Sequence, residues 1–308
     1  MRFTKMEAVG NDFVVIDESD ANGMDLSQLA VRLCRRHFGV GADGLLVIGR
    51  RSADAAIAPI ASMRMFNPDG SQDMCGNGLR CAALWVSTRD WTEGRHAFRI
   101  ATKDGDREAI LSRLGAGRAV EIAVQMGTPR LTADAIPFDA PASSTVIAQP
   151  LDVAGRTVRV TSAYTGSTHT VIFGEQPSED DFQALSPLIE NHPLFPERTT
   201  VLWTTQTAEP GTFDVRIWER GVGETLGCGT GACAIAVAAG LNGLLSPGDD
   251  PLPAQADTAQ SVLRTPIHAH IRSKGGTLHV AVKHHPTTGL DMQLLGPAEI
   301  VYEGYADI

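Results

Sequence analysis

Two short turns carry the residues best suited to chemistry: Cys75-Gly76-Asn77-Gly78 and Cys228-Gly229-Thr230-Gly231. Each opens a run of small residues at helical spacing, Cys81-Ala82-Ala83 in one case and Ala232-Cys233-Ala234 in the other. Glycines before a helix leave backbone N–H groups open, and the helix N-terminus adds partial positive charge, so a carboxylate would bind there. The same charge raises the thiolate fraction of a cysteine at that point. One such turn would serve a nucleophile. Two fit a different task, in which one thiolate takes a proton from carbon and a thiol on the opposite face returns one. That is the chemistry of stereoinversion. Its obstacle is the weak acidity of a hydrogen α to a carboxylate. Hydrogen bonds from two helix N-termini would stabilise the enediolate character that develops, by roughly 3–4 kcal/mol per donor. A single cysteine at a helix start reads first as a small buried residue. The matched pair does not. Cys34, Cys81 and Cys233 fall among apolar neighbours in predicted helices and read as core.

The elements that must position these turns follow from hydrophobic spacing. Strands are expected at Phe3–Met6, Phe13–Ile16, Leu45–Ile48, Met63–Phe66, Glu121–Val124, Thr170–Phe173, Thr199–Trp203, Phe213–Trp218, Ile267–Ile271, Leu278–Val282 and Met292–Leu295. Four helices are expected, over 26–37 with Asp25 or Ser27 as cap, 78–88, 179–190 and 230–243. This is a strand-rich α+β pattern and not a doubly wound sheet. The stretch from Ser246 to Gln260, rich in Pro, Asp and Ala without periodicity, reads as an exposed loop. The two cysteine turns lie 153 positions apart in a chain of 308. Gly10-Asn11-Asp12-Phe13-Val14 is echoed by Gly166-Ser167-Thr168-His169-Thr170 at almost the same offset, 156. Two echoes at one offset predict a duplicated domain, with the boundary near Met126-Gly127-Thr128-Pro129. Equivalent loops of two halves related by a pseudo-twofold axis can face one cleft.

Composition sets the bounds. With 36 acidic and 26 basic side chains the net charge is −10, and no Lys/Arg run offsets it, so nucleic acid is not an expected partner. The longest small-apolar run, Ala232 to Leu241, is about half of a bilayer span, and no signal-peptide block opens the chain, so no membrane partner is expected either. Five cysteines, an odd number without CxxC pairs, argue against a disulfide framework and for a reducing cytoplasm. His268, His270, His279, His284 and His285 lack the spacing of a metal site. No metal and no cofactor is expected.

The chain resembles the diaminopimelate epimerase family. The resemblance rests on Lys5-Met6-Glu7-Ala8-Val9-Gly10-Asn11-Asp12-Phe13, Gly39-Val40-Gly41-Ala42-Asp43-Gly44, Phe66-Asn67-Pro68-Asp69-Gly70-Ser71, Met74 to Cys81, Phe195-Pro196-Glu197-Arg198, and Glu219 to Thr225 running on to Cys228-Gly229-Thr230-Gly231-Ala232-Cys233. It implies two similar α+β halves, each a β-sheet wrapped around a central helix. These would be 1–127 and 128–295, with 296–308 returning to the first half. It also implies a cofactor-independent enzyme that inverts LL-diaminopimelate to the meso form, a step toward lysine and peptidoglycan precursors. On this resemblance Cys75 and Cys228 are the two acid/base residues, and Gly76-Asn77 and Gly229-Thr230 hold the reacting carboxylate. Asn11, Asn67 and Arg220 line the substrate cleft, with Arg220 suited to a bidentate grip on the distal carboxylate. His169 and Glu219 stand behind the cysteines and set their proton affinities. The partner expected is a small amino-acid substrate, and a second copy in a homodimer stays open.

The likeness breaks at two places. Many family members read Gly-Asn-Pro-His where this chain has Gly166-Ser167-Thr168-His169, and carry Asn where it has Thr200. A hydroxyl offers fewer hydrogen-bonding sites than a carboxamide, so a racemase of a different amino acid is the alternative expectation. Read without the resemblance, Arg220 is equally a surface ion-pair partner, Asn11 and Asn67 are turn residues, and His169 is a hydrogen-bonded strand residue. Three other classes fit the residues less well. Gly39 to Gly44 spells GxGxxG, but it follows a predicted helix and precedes a strand, the inverse of a dinucleotide fingerprint. A cysteine hydrolase leaves the second turn unexplained. A binding module would use both helix N-termini without moving a proton.

Overall fold

The computed structural model describes residues 1–52, 58–113, 120–245, 266–285 and 289–307. Contacts divide the chain into two compact units, Met1–Gln125 with Leu295–Ile308, and Met126–Leu294. The loop expected over 246–260 lies outside the described residues.

In the first unit β1 (Arg2–Ala8) and β2 (Asn11–Asp17) form a hairpin, and α1 (Leu26–Cys34) leads to β3 (Gly44–Arg50), which pairs parallel to β2. β4 (Ala61–Phe66) runs antiparallel to β3, and the short β5 (Gln72–Asp73) turns back against it. Then come α2 (Gly76–Ser87), β6 (Ala97–Thr102) parallel to β4, and β7 (Gly105–Arg113) with β8 (Val120–Gly127) antiparallel beyond it. α2 packs on β1, β2, β3, β4 and β7, and every one of its residues except Ser87 is buried.

The second unit opens with β9 (Gln149–Val153) and then repeats the plan. β10 (Arg156–Tyr164) and β11 (Thr168–Phe173) form a hairpin, α3 (Glu179–Glu190) follows, and β12 (Thr200–Gln206) is parallel to β11. β13 (Thr212–Glu219) is antiparallel to β12 and β14 (Gly223–Thr225) folds back on it. α4 (Gly229–Leu241) comes next, with β15 (Ile267–Ser273) parallel to β13 and β16 (Gly276–His285) antiparallel to β15. The succession of parallel and antiparallel pairs is the same in both units, with a helix at the same two points. Register sharpens the match. Phe13 faces Gly44 across the parallel pair of the first unit, and His169 faces Thr200 across that of the second. The offset is 156 in both cases, so the duplication read from the two echoes is present in the fold. β17 (Gly289–Tyr305) closes the chain, its residues from Glu299, the partner of Glu7, to Tyr305, the partner of Arg2, pairing antiparallel with β1.

Local chemistry explains the helix ends. Asp25 caps α1 by accepting from Ser27 N at 3.0 Å and Gln28 N at 3.2 Å. The helix stops at Cys34, short of the expected residue 37, because the chain doubles back at Gly39, where a side chain would collide with the carbonyls of Arg32 and Leu33. Ser178 caps α3, whose first turn carries Glu179, Asp180 and Asp181 against the helix dipole. α4 is apolar on all sides and packs on β10, β11, β12, β15 and β16. A helix hydrophobic all round belongs inside its sheet, and its alanines let the strands approach. Among the described residues no helix is long and apolar enough to cross a membrane.

Six strands among the described residues were not expected from spacing: the two short ones, β5 and β14, and β6, β7, β9 and β10. The last shows why. Thr161, Ser162 and Ala163 are buried, and Ser162 Oγ meets Thr170 Oγ1 at 3.0 Å, which in turn meets Thr199 Oγ1 at 2.8 Å. Hydroxyls that satisfy one another can be buried as cheaply as apolar groups, so polarity hides a core strand.

Because Ala236 is fully buried at the centre of α4, Ala236→Leu should overpack the unit and cost about 1–3 kcal/mol. Urea denaturation should show a lowered midpoint with the folded baseline unchanged.

Candidate active site

Each cysteine of the two turns is the N-cap of the helix enclosed by its own unit. Cys75 Sγ accepts from Gly78 N at 3.4 Å, and Cys228 Sγ accepts from Gly231 N at 3.3 Å. The thiol thus takes the place of the usual Ser or Asp. The glycine three residues on is closely packed in both. A Cβ on Gly78 would lie 3.0 Å from Leu46 Cδ2, and one on Gly231 would lie 3.2 Å from Leu202 Cδ2 and from Cys228 Sγ. Leu46 and Leu202 occupy equivalent places on β3 and β12, again 156 residues apart. Cys34, Cys81 and Cys233 are buried, and burial pushes the Cys34 thiol up to about 12 and raises that of Cys81 as well. Neither of these two is poised to ionise.

In the first unit Asn11, at the start of β2, stands against the thiol. Its Oδ1 lies 3.7 Å from Cys75 Sγ and accepts from Asn77 Nδ2 at 3.3 Å. Asn77 is fully buried, and its Oδ1 accepts from Arg80 Nη2 at 2.8 Å. Arg80, also fully buried, donates through Nε to Pro297 O at 3.3 Å. Behind Asn11 is an ionic cluster. Asn11 Nδ2 donates to Asp43 Oδ2 at 2.8 Å, and Arg36 Nη2 bridges Asp43 Oδ1 and Asp12 Oδ1 at 2.8 Å each. Lys5 Nζ, buried, completes it by donating to Asp12 and to the Gly41 carbonyl. Burial works to raise the Asp12 pKa, and the bonds from Lys5 and Arg36 outweigh it, holding the carboxyl below its usual range. Asn67 keeps its turn role: its backbone N–H donates to Ser71 O at 2.8 Å and Nδ2 to Ser71 Oγ at 3.0 Å.

The second unit furnishes its cysteine differently. Cys228 Sγ lies 3.8 Å from His169 Nε2 and 3.4 Å from Thr230 Oγ1, and that hydroxyl is 3.2 Å from Nε2. The tautomer follows from the other ring nitrogen. Nδ1 lies 2.8 Å from Ser167 O, which can only accept. It is also 3.2 Å from Thr165 Oγ1, whose own proton goes to Thr230 O at 2.9 Å. Nδ1 therefore carries the hydrogen and Nε2 presents a lone pair to the thiol and the Thr230 hydroxyl. Burial lowers the His169 pKa to about 4, against a raising bond to Ser167 and with a smaller lowering by Arg220, so the ring is neutral at pH 7. Gly166, at φ +113°, makes the turn that delivers Ser167, and a Cβ there would sit 3.0 Å from Thr230 Cγ2.

The remaining expected residues cluster at the β13–β14 turn. Arg220 N donates to Thr200 Oγ1 at 3.1 Å and Arg220 Nη1 to Glu197 O at 3.1 Å. Glu219, half-buried, ends β13 and accepts from Val222 N at 3.0 Å through its carbonyl. Spacing did not single out Glu190, which is buried at the end of α3. Its Oε1 accepts from Gly221 N at 2.9 Å and Arg198 Nη1 at 3.1 Å, and its Oε2 from Trp218 Nε1 at 2.8 Å. That carboxylate fixes the turn that carries Arg220. Among the described residues no group of three or more His, Cys, Asp or Glu is placed to hold a metal. His270 and His279 meet edge to face at 4.4 Å across β15 and β16.

Two cysteine-capped helices, each followed by Gly-x-Gly and held by matching strands, invite comparison with known proteins. The family model described as diaminopimelate epimerase matches residues 3–132 and 161–301. The chain belongs to the diaminopimelate epimerase family. It is similar to the diaminopimelate epimerase of Pelotomaculum thermopropionicum, 43% identical over 249 residues, covering 79% of this chain and 85% of that one. It is likewise similar to that of Desulforudis audaxviator, 37% identical over 316 residues, covering 99% and 98%. Among solved structures, a phenazine biosynthesis protein of the PhzF family from Bacillus anthracis aligns with a TM-score of 0.64 at 14% identity, covering 100% and 99%. At that identity it speaks for the fold, the two-halved strand-rich architecture of the diaminopimelate epimerase family.

His169 gives a pH prediction with a definite sign. Its pKa is lowered on folding, from 6.5 to about 4. Between those values the unfolded chain binds a proton that the folded chain does not, so the stabilisation is complete above 6.5 and is lost as pH falls toward 4, by about 3 kcal/mol. His169→Asn, which keeps a donor toward Ser167 O, should flatten the urea-derived stability profile over that window.

Proposed function

We propose that the chain is a cytoplasmic, cofactor-independent epimerase that inverts one centre of LL-diaminopimelate, with Cys75 and Cys228 as the two acid/base groups. The observation that carries this reading is the pair of cysteine N-caps at equivalent places in a duplicated fold of this family. In one direction a thiolate removes the α-proton and becomes a thiol. The other thiol gives its proton to the opposite face and becomes the thiolate, so no oxidant or reductant is consumed. The N–H groups of Gly76-Asn77 and Gly229-Thr230 receive the reacting carboxylate and stabilise its enediolate form. His169 Nε2 and the Thr230 hydroxyl assist Cys228, and Asn11 assists Cys75. Glu219 tunes the local proton affinity. Arg220 grips the distal carboxylate, while Asn67, Ser167 and Thr200 shape the distal end of the site.

One observation favours the second reading, a racemase of a different amino acid. The Thr200 hydroxyl oxygen accepts from Arg220 N. With that lone pair engaged inside the protein, Thr200 offers a distal amino acid fewer hydrogen-bonding sites than a carboxamide would.

The deciding experiment is α-proton exchange in deuterated water under reducing conditions, with LL-diaminopimelate beside a panel of ordinary L-amino acids. Deuterium uptake with inversion of diaminopimelate alone is the expected result. Inversion of another amino acid selects the second reading, and no exchange with any of them rejects both. Cys75→Ser and Cys228→Ser should each reduce inversion by at least about 100-fold with the fold retained by circular dichroism. Full activity in either variant rules out the two-base mechanism.

A further inference from the structure

The first unit contains a hydrogen-bond chain that runs in one direction. Arg80 Nη2 donates to Asn77 Oδ1 at 2.8 Å, Asn77 Nδ2 to Asn11 Oδ1 at 3.3 Å, and Asn11 Nδ2 to Asp43 Oδ2 at 2.8 Å. A carboxamide can be turned over, exchanging donor for acceptor, and only its partners decide which way it points. Here the ends decide. A guanidinium can only donate and a carboxylate can only accept, so both amides between them are fixed. Asp43 is itself held on three sides, by Arg36 Nη2 at 2.8 Å, by Asp12 N at 3.2 Å, and through its own N–H to Asp12 Oδ1 at 3.1 Å. The consequence falls on the thiol. Asn11 Oδ1, and not Nδ2, lies 3.7 Å from Cys75 Sγ.

We propose that Asp43 is a positioning residue for proton transfer: by fixing the Asn11 carboxamide it presents an acceptor to Cys75 and holds that cysteine as the protonated thiol, ready to act as the acid. This rests on the assignment of Cys75 as an acid/base group. An acceptor bonds S–H and faces a thiolate lone pair unfavourably, whereas the turned-over amide would put two donors, Asn11 Nδ2 and Gly78 N, on sulfur and favour the thiolate. The turned-over form also sets Asn11 Nδ2 against Asn77 Nδ2, donor to donor. Asp43 forbids it. The other ionisable groups of the cluster are Lys5 and Glu7 on β1, Asp12 on β2, Arg36 after α1, Asp73 before Cys75, and Arg80 within α2. None of these bonds to the Asn11 side chain in the chain above.

The test separates polarity from packing. Asp43→Asn keeps the shape but can donate or accept, so Asn11 is then held from the Arg80 end alone and its orientation is weakened. Asp43→Glu restores an end that only accepts. The readout is the pH dependence of iodoacetamide alkylation at Cys75, followed by peptide mass mapping, with diaminopimelate epimerisation measured in parallel. In Asp43→Asn the Cys75 profile should move to lower pH, equivalent to about tenfold faster alkylation at pH 7. Epimerisation kcat should fall about tenfold with KM within about twofold. Asp43→Glu should keep the unmodified profile. An unmoved Cys75 profile in folded Asp43→Asn, or the same shift in both variants, overturns the proposal. If neither variant folds, the unmodified protein labelled with ¹⁵N-asparagine decides the matter. The Asn11 side-chain protons should exchange with solvent far more slowly than those of exposed Asn22, and equal exchange overturns the proposal. The alkylation and exchange measurements need no substrate, so they stand even if diaminopimelate is not turned over.

Discussion

A helix enclosed by its own sheet must find acceptors for the N–H groups of its first turn, and here both enclosed helices use a thiol. Everything near the site follows from that constraint. Sulfur reaches the third residue's N–H where the chain approaches closely, and a side chain at Gly78 or Gly231 would press on the leucines beneath them. The cap leaves the cysteine at the positive end of the helix, with the other first-turn N–H groups beside it. On the proposed two-base reading, structural capping and acid/base chemistry draw on the same atoms. The small residues that let α4 fit inside its sheet serve the cap too, because they allow the strands bearing Leu202 and His169 to lie close to the helix start.

Much of this was legible in the residues. Periodicity and caps located the four α-helices of the described residues, and the Cys-Gly-x-Gly echo located both cysteine N-caps and the duplication. What stayed hidden has physical causes. The strand β10 is buried through paired hydroxyls, and a hydropathy pattern has no sign for satisfied polarity. β6 is short and interrupted by Arg99, β7 opens with Asp106, Arg107 and Glu108 in succession, and β9 contains a proline, so none stands out as an apolar run. Asp43 sits in a glycine-rich stretch where Asp reads as a turn residue, and its partner Asn11 is 32 positions away. Glu190 reads as a helix-end charge until the fold brings Trp218, Gly221 and Arg198 around it. Long-range pairing, not composition, gives these two carboxylates their work.

The register match between units also shows where the copies parted. Phe13 and His169 hold the same place, one in each half, on equivalent strands beside equivalent helices. In the first half that place is filled by a fully buried phenyl ring, and the cysteine finds its polar partner in a carboxamide. In the second it is filled by an imidazole whose tautomer is set from behind. The scaffold is duplicated and the polar surroundings of the two thiols are not.

That inequality has a thermodynamic limit. On the two-base reading, inversion in one direction begins at a sulfur facing an amide oxygen, and in the other at a sulfur facing an imidazole nitrogen. The two directions can differ in which step is slowest and in how each responds to acid, yet their ratio of kcat/KM values is fixed by the relative free energies of the two stereoisomers. No arrangement of Phe13 or His169 can make the protein prefer a product. The divergence of the halves is confined to shaping the barrier, and selection acting on it can alter only how quickly the same equilibrium is reached.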